Sequence, residues 1–266
     1  MTHAPAWASH PAFQPYRRWL AQGSAVPPDV ATLSSWARRS GLALPDGRAI
    51  GFVPAEGRTG ALDFEGGVAA RARVPVRAGS WHDAMNALAW LAVPRTKAAL
   101  NAIHVARGRA ATPNARDRTR DAATLLDESG LILGCDNASL PPLLAAHAWR
   151  ALFVERAGDV RTHFLAVAVG HGLLDRLRTP FRALTAKVLI VAFAPGALPE
   201  GADVAGLDAA AAARVADATF GPASLVALPI AALPGWDTER LGDRLFDDQT
   251  VFRPQRSRAR ALAGDR

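Results

Sequence analysis

Apolar and polar positions follow two regimes along the 266-residue chain. In the first half, apolar residues recur every three or four positions, the spacing of a helix face. Residues 15–22 and 28–39 read as short helices, the second with Pro28 at its start and Gly41 past its end. Residues 44–77 are rich in Gly, Pro and Arg and show no clear period. Ser80 is placed to cap a helix over residues 81–92. Pro94 opens a second helix reaching about Arg107, residues 108–114 read as a loop, and residues 116–128 read as a third helix.

Past residue 130 the apolar runs shorten and fill with β-branched residues. Residues 131–135 read as a short strand and 140–153 as an amphipathic helix. Residues 163–169 (HFLAVAV) and 187–193 (KVLIVAF) read as buried strands. Between them, Gly170-His171-Gly172 leads into a short helix ending near Arg178. An Ala-rich helix is expected over residues 207–219, and irregular closing segments over 229–236 and 246–254. The expected class is α+β, with a predominantly helical front half packed on a small, about three-stranded sheet from the back half. With no repeat and no long Pro/Ser linker, residues 1–254 read as a single globular domain and 255–266 as a disordered basic tail.

Composition narrows the class. Half of the residues are hydrophobic and 21% are charged, enough for a sizeable core. No apolar run approaches the roughly 18 residues that span a bilayer. Residues 1–13 lack a charged start followed by a continuous apolar stretch, so no secretory signal is expected. The single cysteine, Cys135, rules out an internal disulfide framework and a four-Cys zinc site, and reads as a small core residue. A soluble, cytoplasmic, bacterial-type protein without a membrane partner is the expectation.

The net charge of +7 raises nucleic acid as a partner. Of 31 basic residues, however, only Lys97 and Lys187 are lysines. With abundant Ala, that bias resembles GC-rich codon usage. The last twelve residues alone carry four Arg against one Asp, and elsewhere basic residues alternate with Asp. That pattern suits a mixed solvated surface better than a phosphate-tracking stripe. The two lysines gain weight from the same bias, because a compact point charge on a flexible stem is not replaced by a planar guanidinium.

Three helices carry polar stripes. Residues 81–92 (WHDAMNALAWLA) are apolar nearly all round, so His82 and Asn86, one turn apart, must find internal partners or line a cavity. On the next helix Lys97, Asn101 and His104 fall at i, i+4 and i+7, and the two-residue connection Val93-Pro94 makes the helices neighbours. The third helix places Asp117, Asp121, Thr124 and Glu128 on one line and Arg116, Arg120 and Asp127 on another beside it. Asp–Arg pairing on an exposed face explains the third helix by itself. Beside two His stripes it also supplies what a hydrolytic or metal site needs: carboxylates as ligands or bases, His for protons or metal, cations for anions.

His171 stands where a strand turns into a helix between two glycines, a place that allows close backbone approach and favours anions. Thr185 and Lys187 share one face of a strand, where Lys187 either snorkels or functions. Dinucleotide, P-loop, GxSxG and kinase motifs are absent from the sequence, as are HExxH and a cysteine pair.

Taken together, Trp81-His82-Asp83 with Asn86, Trp90, Pro94-Arg95-Thr96-Lys97, Asn101 and His104 resemble the signature of the proteobacterial family catalogued as domain of unknown function 3025. The resemblance continues through Arg120-Asp121, Thr124, Asp127-Glu128, Trp149, Phe153, Gly170-His171 and Thr185-Ala186-Lys187 to Pro234-Gly235-Trp236 and Phe252-Arg253-Pro254. Ala84 and Met85 stand where aromatic residues are usual in that family, and Ser129 where a Cys is common. The resemblance implies which polar residues belong together, and no activity.

Three functional readings follow. The leading one is a hydrolase-type enzyme, metal-assisted in one version, acting on a small phosphorylated or otherwise anionic substrate in a cleft between helices. Its catalytic groups would be His82, Asp83, His104, Asp127, Glu128 and His171. Asn86, Lys97, Asn101, Arg120, Thr124 and Lys187 would bind substrate, and His82, Asp83, His104 and Asp121 are the candidate ligands of a divalent metal. The alternatives are a non-catalytic module binding a ligand or nucleic acid, and a buried polar network that only fixes helix packing.

Overall fold

The run Gly130–Cys135 is buried along its whole length and is an inner strand of the larger sheet. A computed structural model of the chain describes residues 4–22, 25–57, 60–110, 117–199 and 204–254. The front half comprises α1 (Arg17–Leu20), α2 (Val30–Arg39), β1 (Gly51–Pro54), α3 (Ala61–Arg71), β2 (Arg73–Val76), α4 (Trp81–Ala92), α5 (Pro94–Ala110) and α6 (Arg118–Ser129). The back half comprises β3 (Gly130–Cys135), α7 (Leu140–Ala145), α8 (Ala157–His163), β4 (Phe164–Ala168), α9 (His171–Arg176), β5 (Thr185–Ala192), α10 (Ala205–Ala216) and β6 (Leu225–Pro229), and the fold is α+β.

The main sheet has the order β4-β3-β5-β6. The central pair β3/β5 is parallel, with Gly130 opposite Lys187, and both outer pairs are antiparallel. It therefore has four strands, one more than the sequence suggests. The additional strand, β6, is short and ends in Pro229, which an edge position tolerates because it pairs on one side only.

Alternation along β3 sends its side chains to both faces. Leu131, Leu133 and Cys135 join a core with Phe13, Trp36, Met85 and Leu88, whereas Ile132 joins one with Leu126, Leu189, Leu207 and Ala211. Front-half helices thus lie on both sides of the sheet. Full burial of a side chain such as Leu88 contributes roughly 1.5–3 kcal/mol.

The caps that orient the site helices are explicit. The Ser80 hydroxyl accepts from the Asp83 amide at 3.1 Å at the start of α4. Asp117 accepts from the Thr119 and Arg120 amides, both at 3.0 Å, at the start of α6. The start of α5 is capped from a distance: Asp208 of α10 accepts from the Arg95 amide at 3.0 Å and the Thr96 amide at 2.8 Å.

Three further expectations are corrected. Residues 51–76, without period in the sequence, hold β1 and β2 as a separate parallel pair joined by α3. Residues 140–153 are not one helix: α7 ends at Ala145, and His147 turns the chain with φ +54° before a π-helical turn over Ala151–Glu155. Its ring stacks on Trp149 at 4.7 Å, which holds the turn. α5 runs on to Ala110 where a loop was expected from residue 108, and the remainder of that loop lies outside the described residues, as does the tail 255–266.

Candidate functional site

The site begins at a close backbone crossing. α6 runs directly into β3 at Gly130, and the amides of Val169 and Gly170, just past β4, both donate to the Gly130 carbonyl at 2.9 Å. A Cβ at position 170 would stand 2.2 Å from the Gly130 nitrogen and 2.7 Å from the Glu128 carbonyl. A Cβ at position 172 would meet a Glu128 carboxylate oxygen at 2.7 Å. Glycine at both places lets the first turn of α9 press against the last turn of α6. His171 consequently faces two consecutive carboxylates: its Nε2 is 3.3 Å from Glu128 Oε1 and its Nδ1 is 3.6 Å from Asp127 Oδ2. α4 brings His82 edge-on to the His171 ring, with centroids 4.5 Å apart.

These groups form one end of a cleft of about 470 Å³. α4 lines it with His82, Asp83 and Asn86, α5 with His104, and α6 with Arg120, Thr124, Asp127 and Glu128. Nine of the residues singled out in the sequence, His171 included, therefore border one hollow. Two charged lining groups had no signal in the sequence: Glu65, from α3, and Arg77, just past β2. Both fall in the segment without period, where Gly66-Gly67 and the surrounding Gly and Pro mask a helix face. Asn86 Oδ1 and His171 Nδ1 are buried without a hydrogen-bond partner among the described residues, and Arg120 makes no ion pair among them.

The other candidates take different positions. Lys97 and Asn101 do not border the cleft; they brace its wall from behind. The Lys97 ammonium, 4% exposed, is ion-paired with Asp127 and lies 5.7 Å from the Trp90 ring centroid. The Asn101 amide donates to the Glu65 backbone carbonyl at 3.0 Å and to the Glu65 carboxylate. Asp83 reaches the cleft wall, but Arg77 occupies both of its oxygens, at 2.6 and 2.8 Å, so it locks α4 to the segment after β2. Asp121 is exposed and does not border the cleft. Lys187 lies in β5 between Gly130 and Ala227, on the face that carries Leu189 and Val191, also outside the cleft.

The electrostatics divide the carboxylates. Burial pushes Asp127 up, but the charge of Lys97 and His171, the Lys97 hydrogen bond and the charge of His104 hold it below the ordinary aspartate range. The His171 hydrogen bond, outweighing burial, holds Glu128 below the glutamate range, with help from the charge of His171 and His82. Glu65 goes the other way: burial and the Asp127 charge raise it, against the Asn101 bond and the charge of Lys97 and His104. Burial and then the charge of His171 lower the proton affinity of His82, against the charge of Glu128, Asp83 and Asp175. Cys135 is buried and its Sγ donates to the Asn137 carbonyl at 3.1 Å; burial pushes its thiol up, as suits a packing residue.

The groups that could hold a metal differ from the set read in the sequence. His82, Glu128 and His171 each offer one donor atom, all within 4.8 Å of one another. Asp83 is held by Arg77, and Asp121 does not line the cleft. His104 borders the cleft but is not part of that group.

Fold and site together define an α+β protein with a polar cleft walled by four helices and floored by a histidine–carboxylate cluster. The model of the family described as Protein of unknown function (DUF3025) matches residues 50–256, and the chain belongs to that family. That span contains every residue of the cleft. Comparison with curated proteins and with solved structures returned no match. No helix among the described residues is long and apolar enough to cross a membrane.

Proposed function

We propose that the cleft is the active site of a cytoplasmic hydrolase acting on a small anionic substrate. The observation that carries this reading is the convergence of His82, His104, His171, Glu65, Asp127 and Glu128 on one hollow of about 470 Å³, with Arg120 at its wall. A purely structural network would satisfy its own polar atoms, whereas Asn86 Oδ1 is buried at the cleft without a partner among the described residues. The volume suits a small molecule, and Arg120 supplies a planar donor for a phosphate or carboxylate.

Glu65 is the acid–base group. Its raised proton affinity brings it nearer the range in which one carboxyl both accepts and returns a proton. Water gives a proton to Glu65 and its oxygen bonds to the phosphorus or carbonyl carbon. The bond to the leaving oxygen then breaks with its electron pair, and that oxygen takes the proton back from Glu65. The His82–His171–Glu128 corner holds and polarises the water, and Arg120 holds the substrate's charge. Asn101 and Lys97 are positioning residues, acting through Glu65 and Asp127.

The test is turnover of phosphate monoesters, phosphodiesters and carboxylate-bearing esters by the full chain, beside Glu65→Gln and Arg120→Met. Glu65→Gln should lower kcat by at least about 100-fold. Arg120→Met should chiefly raise KM, by about tenfold for the loss of one charged hydrogen bond. Absence of turnover in every class, or turnover indifferent to both substitutions, overturns the reading.

A further inference from the structure

We infer that His82, Glu128 and His171 form a centre for one divalent transition-metal ion of the zinc class, with Asp127 as the positioning carboxylate behind His171. The inference deepens the hydrolytic reading and rests on its choice of cleft.

The donor set comes first. Two imidazole nitrogens and one carboxylate oxygen suit zinc, cobalt or ferrous iron, whereas magnesium and calcium take oxygen donors. Ligand atoms around a tetrahedral zinc stand about 3.3 Å apart, given bonds of about 2.0–2.1 Å. His171 Nε2 and Glu128 Oε1 already stand at 3.3 Å, and the group as a whole lies within 4.8 Å. The Glu128 side chain is 48% exposed, so its carboxylate is free to adjust around an ion. Three protein ligands leave positions open, as a catalytic ion requires and a structural one does not.

The surroundings of His171 supply an independent observation. Its ring is buried, with Nε2 toward Glu128 and Nδ1 without a hydrogen-bond partner among the described residues, 3.6 Å from Asp127 Oδ2. Metal on Nε2 places the ring proton on Nδ1, directed at Asp127, which is the carboxylate–histidine–metal arrangement that fixes tautomer and ring orientation. Asp127 is in turn anchored by the buried Lys97. The ion would lower the pKa of a bound water toward about 7, which supplies the polarisation assigned to this corner of the cleft.

The experiment is calorimetric titration of chelator-stripped full-length protein with zinc, repeated with cobalt while its d–d absorption is followed. One ion per chain is expected, with a tetrahedral or five-coordinate cobalt spectrum. Glu128→Gln, half exposed and therefore tolerant of substitution, should weaken binding by at least about 100-fold, and His82→Gln likewise. Asp127→Asn should weaken it by about 10–100-fold, as removal of an outer partner does. Asp121→Asn, on the same helix but outside the cleft, should leave it unchanged. No zinc bound by folded wild type, or equal binding in Glu128→Gln and His82→Gln, overturns the centre. Undiminished turnover in stripped protein that binds no metal removes the centre and leaves the hydrolytic reading standing. A bound ion with no substrate turned over does the reverse.

Discussion

His171 Nε2 lies 3.3 Å from Glu128 Oε1 because Gly170 lets two backbones touch: a Cβ there would be 2.2 Å from the Gly130 nitrogen. No side-chain rotation relieves that overlap, since the clashing atoms are main chain. Gly170→Ala should therefore cost about 1–3 kcal/mol or more in overpacking and backbone shift. It should also separate His171 from Glu128, lowering zinc affinity and turnover together. Urea denaturation with zinc titration checks both, and a fully stable variant with wild-type affinity contradicts the account.

Lys97 and Asp127 are predicted to behave as a buried pair. Lys97→Met leaves the Asp127 carboxylate without its cation and should destabilise the protein by about 3–5 kcal/mol. Lys97→Met with Asp127→Asn removes both charges and should recover a substantial part of that loss. A double-mutant cycle measured by urea denaturation gives the coupling. Additive single and double losses would show that the pair carries no mutual stabilisation.

The sequence exposes faces better than depths. Ser80 and the 81–92 pattern locate α4, and the β-branched runs locate β3, β4 and β5. The stripe Lys97, Asn101, His104 is real, yet only His104 reaches the cleft. Helical periodicity specifies direction around an axis, but not which neighbour covers each turn. Here Glu65 of α3 bonds Asn101, so that part of the stripe becomes wall. On α6 the cleft residues Arg120, Thr124, Asp127 and Glu128 occupy one arc, and Asp121 falls at its far edge. His171 is far from the three helices in sequence, and it joins them through β3–β4 pairing and the Gly130 crossing. Glu65 and Arg77 remained hidden because no local pattern reports a partner contributed by tertiary packing.

Asp208 should matter for stability although it lies outside the cleft. It is 3% exposed and accepts from two amides at the start of α5, the helix that carries Lys97, Asn101 and His104. Asp208→Ala removes the cap and strands the buried Thr96 amide and the part-buried Arg95 amide, at a cost of about 2–3 kcal/mol. Asp208→Asn keeps one acceptor and should lose less. Thermal and urea unfolding of the two variants rank them, and equal losses would mean that the cap is not the source.

Stability should depend on pH through Asp136, at the end of β3. Its carboxylate bonds His163 Nδ1 at 2.8 Å and the Gly196 amide at 2.9 Å. The His163 bond holds it below the ordinary aspartate range, against burial and with help from the Gly196 amide and the His163 charge. The buried Cys135 thiol is its other titratable neighbour. Because the folded value is depressed, the stabilisation is complete above the unfolded carboxyl value of about 3.9 and is lost as pH falls through the folded one. Asp136→Asn should thus be less stable than wild type at pH 6, with the gap narrowing below about pH 4. Urea midpoints of the two proteins at pH 6, 4 and 3 measure it. A gap that stays constant across that range would place the cost of the substitution in lost packing and not in the ionised hydrogen bond.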